Sequence, residues 1–190
     1  MSAGIRRGDE SDAELYFLQQ HYRLKTRLLD WTNNALAGLF FAVSSHHNQN
    51  KDGALFIMDP YQLGPAQEGK YDDGKKFEGI ATSRNPVFPR ALKVIFSWED
   101  AGEFPNFIFP VRPDYFDRRI TLQRGCFTFH VPNGGILSPD HNPTLASYLI
   151  PQGKKSDIKK ELAMLGIDEF SIYGDLEHLS ERLKQAYRIP

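Results

Sequence analysis

At 190 residues, 41% of them hydrophobic and 25% charged, the chain has the make-up of a globular protein and the length of one ordinary domain. A net charge of −1 supplies no global field to draw it to nucleic acid or to an anionic membrane. The longest apolar run, Ala35 to Val43, falls well short of the about 20 residues that a bilayer-spanning helix needs. The single cysteine, Cys126, excludes an internal disulfide and fits a reducing compartment. Arg6, Arg7, Asp9 and Glu10 put charge where a signal peptide would be apolar. The expected location is cytoplasmic, with no membrane partner.

Residues 1–10 read as a mobile N-terminus ahead of a domain at 11–190. Ser11-Asp12-Ala13-Glu14 has the form of a capping box, opening a helix to about Tyr22 with Leu15, Leu18 and Tyr22 on one face. Its end delivers Gln20 and His21. Thr26 to Thr32 predicts a strand, Leu28, Asp30 and Thr32 on one side and Arg27, Leu29 and Trp31 on the other. Thr32 or Asn33 then caps a helix, Ala35 to Val43, that is apolar all round and belongs in the core. The N-terminus of such a helix favours anions.

A polar loop, Ser44 to Asp52, follows, and its His46-His47 pair is a weak metal signal. Ala54 to Met58 reads as a strand in a sheet buried on both faces. Tyr61 to Pro89 carries no periodicity. Leu92 to Phe96 and Phe107 to Val111 predict strands around an acidic turn. Asp114 to Gln123 predicts a helix ended by a left-handed Gly125, with Arg119 and Gln123 on a shared face. Cys126 to Val131 and Ala146 to Ile150 predict strands, the first followed by a turn at Asn133-Gly134-Gly135. Ser156 caps a helix ending at Gly166. A last helix, Leu176 to Tyr187, is expected to bury Leu176, Leu179, Leu183 and Tyr187. The fold class is α+β, a single domain with a mixed central β-sheet and flanking helices.

No P-loop, GxGxxG, HExxH, CxxC or GxSxG is present in the sequence. Cys126, flanked by Phe127 and a further Phe at 129, reads as a small buried residue rather than a nucleophile. The residues left to carry chemistry are His21, Arg27, Asp30, Thr32, Arg119 and Gln123. One account of them is structural: Arg27 pairs with Asp30 or another carboxylate, and His21 bonds a backbone carbonyl. Arg84, Arg90, Lys93, Arg112, Arg118, Arg119 and Arg124 fall in one half of the chain, and a nucleic acid would need them gathered on a single face.

Gln20-His21-Tyr22, Thr26-Arg27-Leu28-Leu29-Asp30-Trp31-Thr32, Ala37 and Phe40-Phe41-Ala42 closely resemble the core signature of the FRG domain family. Arg119-Ile120, Gln123, Gly125 and Phe127 are similar to a later element of that family. Ile158, Leu162, Gly166-Ile167 and Asp175-Leu176 are similar to its closing helices. The aromatic-Arg-Gly motif that names the family has only Ile5-Arg6-Arg7-Gly8 to answer it. A strand ending in Thr, a capped apolar helix and a further apolar strand also resemble the nucleotide-binding core of the ADP-ribosyltransferases.

These resemblances imply an ADP-ribosyltransferase-like core with NAD as ligand and no metal. Gln20, His21, Arg27, Asp30 and Thr32 would bind the cofactor, Arg27 holding a phosphate bidentately and Thr32 a ribose hydroxyl. Arg119 and Gln123 would be the catalytic groups. Gly125 stands where those enzymes place a carboxylate, which removes the charge that would stabilise a cationic transition state. The implied function is a nucleotide-binding cleft in a diverged transferase-type toxin or phage-defence effector. The alternative is a non-catalytic module of a bacterial defence system that binds protein or nucleic acid.

Overall fold

The computed structural model describes residues 12–22, 24–44, 49–63, 79–82, 88–89, 91–93, 108–113, 118–130, 137–140 and 142–187. The expected mobile N-terminus, the Ser11 cap, His46-His47 and the Asn133-Gly134-Gly135 turn lie outside them, as do Arg84, Arg90 and most of the stretch from Tyr61 to Pro89. The chain forms α1 (Asp12–His21), β1 (Leu28–Thr32), α2 (Ala35–Ser44), β2 (Gly53–Met58) and a 3-10 turn at Pro60–Gln62. Next come β3 (Ala81–Thr82), β4 (Ile108–Arg112), α3 (Arg118–Gln123), β5 (Gly125–His130) and β6 (Leu145–Ile150). A second 3-10 turn, Gln152–Lys154, leads into α4 (Lys155–Met164), α5 (Glu169–Tyr173) and α6 (Leu176–Tyr187).

The fold is α+β. One sheet has the order β1-β5-β4-β3 and is mixed, because β3 runs parallel to β4 while β4 and β5 are antiparallel. A second sheet is the antiparallel pair β2-β6, with Gly53 opposite Ile150 and Met58 opposite Leu145. The backbone gathers into two compact units of interleaved stretches: residues 1–30, 59–114 and 127–141, and residues 31–58, 115–126 and 142–190.

The first unit has an aromatic core. Phe17 stacks on Phe88 at 5.1 Å and on Phe127 at 5.4 Å, and Phe109 meets Phe129 at 5.2 Å. Helix α1 therefore buries Ala13, Tyr16 and Phe17, one helical face at positions i, i+3 and i+4. The expected face is not the buried one, for Tyr22 is 70% exposed. Tyr16 and Phe17 bring more apolar area into the core than a face of leucines, and burial follows area. Residues 91–93 are helical, so a strand does not begin at Leu92; Leu92 packs in the core from a helical turn.

In the second unit Ala37, Phe40 and Val43 of α2 pack against Ile150, Leu162 and Ile172. Leu36 and Phe41 remain exposed, so α2 is buried along one stripe and not all round. The two-stranded sheet, α4 and α5 together cover that stripe. The β2-β6 sheet is likewise not enclosed where a doubly buried strand was expected: Phe56 and Leu149 are exposed on one face, and Ile57 and Tyr148 on the other. Two strands cannot enclose themselves between layers.

The three C-terminal helices each differ from the sequence expectation. The cap of α4 is Lys154, with no side-chain bond, and Ser156 sits in the first turn. Gly166, at φ 82°, does lie beyond its end. Helix α5 was not anticipated; Asp168 and Ser171 form a reciprocal capping box at its start. In α6, Leu176, Leu183 and Tyr187 are exposed, against the expectation that they are buried. Their helical spacing describes an apolar stripe, but no described element lies over it.

Candidate functional site

The residues from Gln20 to Asp30 act within the first unit. Leaving α1, Gln20 donates through Nε2 to both carboxylate oxygens of Asp30, at 3.1 and 3.2 Å. Its own Oε1 accepts from the Thr26 hydroxyl, and Thr26 Oγ1 accepts from the backbone N–H of Leu28. These bonds tie the end of the helix to the strand that follows it. Asp30 is thus satisfied by Gln20 and not by Arg27. The Arg27 backbone is fixed, its N–H donating to the Tyr16 hydroxyl at 2.8 Å and its carbonyl accepting from His130. Its side chain is exposed, and among the described residues no ion pair reaches it. His21 is half-buried, its ring edge-on to Tyr22 at 5.2 Å.

Burial shapes the titratable groups nearby. It pushes the Tyr16 hydroxyl above its usual pKa, against smaller opposing effects from Arg27 and Thr26. It also pulls His130 below 6.5, so the imidazole is neutral at ordinary pH; its Nε2 sits 2.9 Å from the hydroxyl of the fully buried Thr128.

Thr32, Arg119 and Gln123 belong to the second unit. The Thr32 hydroxyl donates to the backbone carbonyl of Gln123 at 2.6 Å and accepts from the N–H of Asn34 at 3.0 Å. Asn33 N–H donates to the carbonyl of Arg124. The cap of α2 is therefore Asn34, whose Oδ1 accepts from Leu36 and Ala37, in place of the expected Thr32 or Asn33. Asn34 immediately precedes the first helical residue, where a cap stands. The side chains of Thr32 and Asn34 already hold the N–H groups at the front of α2, which lowers the pull of that terminus on an anion.

Two adjacent residues in the turn between α3 and β5 are out of the ordinary. The Gln123 side-chain Nε2 is buried and has no hydrogen-bond partner among the described residues. Arg124 adopts φ 47°, a left-handed backbone that costs a residue with a Cβ about 1–2 kcal/mol. The left-handed residue is thus Arg124 and not Gly125, which opens β5 instead. Arg119, one turn earlier on α3, lies over the Tyr173 ring at 5.1 Å. Sequence reasoning missed Asn34, Tyr16 and Tyr173; only Asn34 carried a signal, as an Asn directly before the apolar run.

Other candidate chemistry recedes. Burial pushes the Cys126 thiol up to about 11, leaving almost no thiolate at neutral pH. Among the described residues no group of three or more His, Cys, Asp or Glu could hold a metal, and no helix is long and apolar enough to cross a membrane.

Residues 2–51 match the model of the FRG domain. Over that stretch the chain is similar to the FRG domain. The FRG match takes in α1, β1 and α2, and so includes Gln20, His21, Arg27, Asp30 and Thr32, while Arg119 and Gln123 lie beyond it. No curated protein and no solved structure matches the chain.

Proposed function

We propose that this FRG-domain chain binds a nucleotide of the NAD class through the α3–β5 turn and does not itself transfer ADP-ribose. The observation that carries the proposal is the pair Gln123–Arg124. A buried amide donor without an acceptor costs about 1–3 kcal/mol, and the neighbouring left-handed arginine adds a second cost. Unfavourable features that sit side by side are a mark of a functional site. A primary amide is complementary to the carboxamide of nicotinamide, donor to carbonyl and carbonyl to donor. It would equally serve a phosphate or ribose oxygen. Arg119, four residues earlier on the same helical face, supplies a cation for the diphosphate.

NAD would bring a labile glycosidic bond, and cleaving it develops positive charge on the ribose. From Arg118 to His130 the chain has no Asp or Glu, so this segment offers no carboxylate to stabilise that charge. Binding without transfer follows from the donor set. Thr32 stays a structural residue in this scheme, because the one proton its hydroxyl can donate is given to the Gln123 carbonyl. Arg27, exposed in the other unit, is an independent candidate for an anion and is to be tested alone.

Calorimetric titration of the chain with NAD and with ADP-ribose tests the proposal. Saturable heat is expected from the wild type, falling tenfold or more in affinity for Gln123→Ala while far-UV circular dichroism stays unchanged (a tenfold loss is about 1.4 kcal/mol). Silence from both nucleotides would end it.

A protein-binding role is the second reading, favoured by an open apolar face of β2-β6 on which Phe56 is 46% and Leu149 71% exposed. Apolar patches of this kind on a folded surface mark contact sites. Sedimentation of the purified chain, alone and with candidate partners, discriminates the two, since nucleotide should leave that face untouched.

A further inference from the structure

We infer that Tyr173 is a positioning residue for Arg119, and that through it the segment 168–178 sets the direction of the guanidinium before any ligand arrives. For the ligand this deepens the nucleotide reading; the positioning itself is a property of the unliganded chain.

The Arg119 Cζ stands 5.1 Å from the Tyr173 ring centroid, within the range where a cation is attracted to an aromatic face. The ring is fixed from several directions. His178 stacks on it at 4.8 Å with an interplanar angle of 27°. Phe40 and Phe41 meet it edge-on at 6.5 and 6.4 Å. His178 is held in turn by Asp175, whose carboxylate lies 2.8 Å from Nδ1 and also accepts the His178 backbone N–H at 2.9 Å. Those bonds, the backbone one foremost, keep the Asp175 carboxyl below its usual pKa. A line of contacts thus runs Asp175, His178, Tyr173, Arg119.

The backbone around this line is defined as well. Helix α5 starts at the Asp168–Ser171 capping box, Asp168 accepting at 2.9 Å from Ser171 N–H, and stops at Gly174 with φ 67°. A Cβ at Gly174 would collide with the Leu122 side chain and approach Arg118 of α3 at 3.4 Å, so the glycine permits α3 and α5 to approach closely. A free arginine must give up much rotamer freedom to bind an anion, and one already held on an aromatic face gives up less. Tyr173 therefore raises affinity without touching the ligand. Arg119, Tyr173, Asp175 and His178 lie outside the stretch that matches the FRG model, whereas Phe40 and Phe41 lie inside it.

The test has two readouts. In nitrogen-edited proton spectra without ligand, the Arg119 Hε should show a ring-current shift that persists in Tyr173→Phe and disappears in Tyr173→Leu. In His178→Ala, a milder change that spares the ring, the shift should shrink. Titration with ADP-ribose should then give an affinity about threefold to tenfold weaker for Tyr173→Leu, unchanged for Tyr173→Phe and intermediate for His178→Ala. An Arg119 shift indifferent to Tyr173→Leu overturns the positioning role, whatever the ligand does. A shift that responds as described, with no heat from ADP-ribose in any form, sustains the positioning and removes the nucleotide reading instead. Should Tyr173→Leu not fold, His178→Ala decides the matter by the same two readouts.

Discussion

Thr32→Val separates a structural threonine from a ligand contact, and its cost can be worked out from the bonds it removes. Valine keeps the shape and the β-branch of threonine but loses a hydroxyl that donates to Gln123 O at 2.6 Å and accepts from Asn34 N at 3.0 Å. At about 1 kcal/mol net for each hydrogen bond, the loss is about 2 kcal/mol, rising toward 3 if water cannot reach the abandoned N–H and carbonyl. For a chain of this size, about 2 kcal/mol corresponds to a fall of about 4–8 °C in Tm. Thr32→Ser, which retains the hydroxyl, should lose less than half of that. Urea unfolding followed by the fluorescence of the adjacent, half-buried Trp31 and by circular dichroism reads both variants. If Thr32→Val is as stable as the wild type yet abolishes nucleotide binding, the hydroxyl belongs to the ligand and the structural assignment is refuted.

Gly53→Ala should destabilise by about 1–3 kcal/mol, because a Cβ there would lie 2.7 Å from the Ala42 carbonyl and 3.2 Å from Lys155 Cε; a neutral result in the same urea assay would contradict the packing of β2 on α2. Cys126, its thiol pushed up to about 11 by burial, should be alkylated by iodoacetamide far more slowly in the native protein than in urea at pH about 8, and equal rates would show an accessible thiolate. His130 gives a pH dependence with a definite sign. Burial lowers its pKa in the fold from 6.5, so between the two values the unfolded chain binds more protons. Its contribution is complete above 6.5 and is lost as pH falls from there through the folded value. His130→Gln, which can still bond Thr128, should flatten stability against pH across that window, and an unchanged slope assigns the dependence elsewhere.

What was legible in the sequence is what near neighbours decide. Strands β1, β4, β5 and β6 and helices α1, α2, α4 and α6 follow from alternation and helical spacing, and their observed limits fall close to the predicted ones. The FRG signature was legible too, since Gln20, Thr26 and Asp30 stand close in the chain and bond one another. Spacing shows which side chains share a face; it does not show whether another element covers that face. Helix α2 was apolar enough to be buried all round and is buried along one stripe, and the leucine stripe of α6 stays exposed, because the layers that would cover them are not there among the described residues. Asp30 had an arginine three residues away and took a glutamine from α1 instead. The Thr32 hydroxyl bonds a carbonyl 91 residues along the chain, and Arg119 rests on a tyrosine from α5. Such partners are chosen by the folded backbone, which alone brings distant donors and acceptors within the few ångströms a hydrogen bond or a ring contact requires.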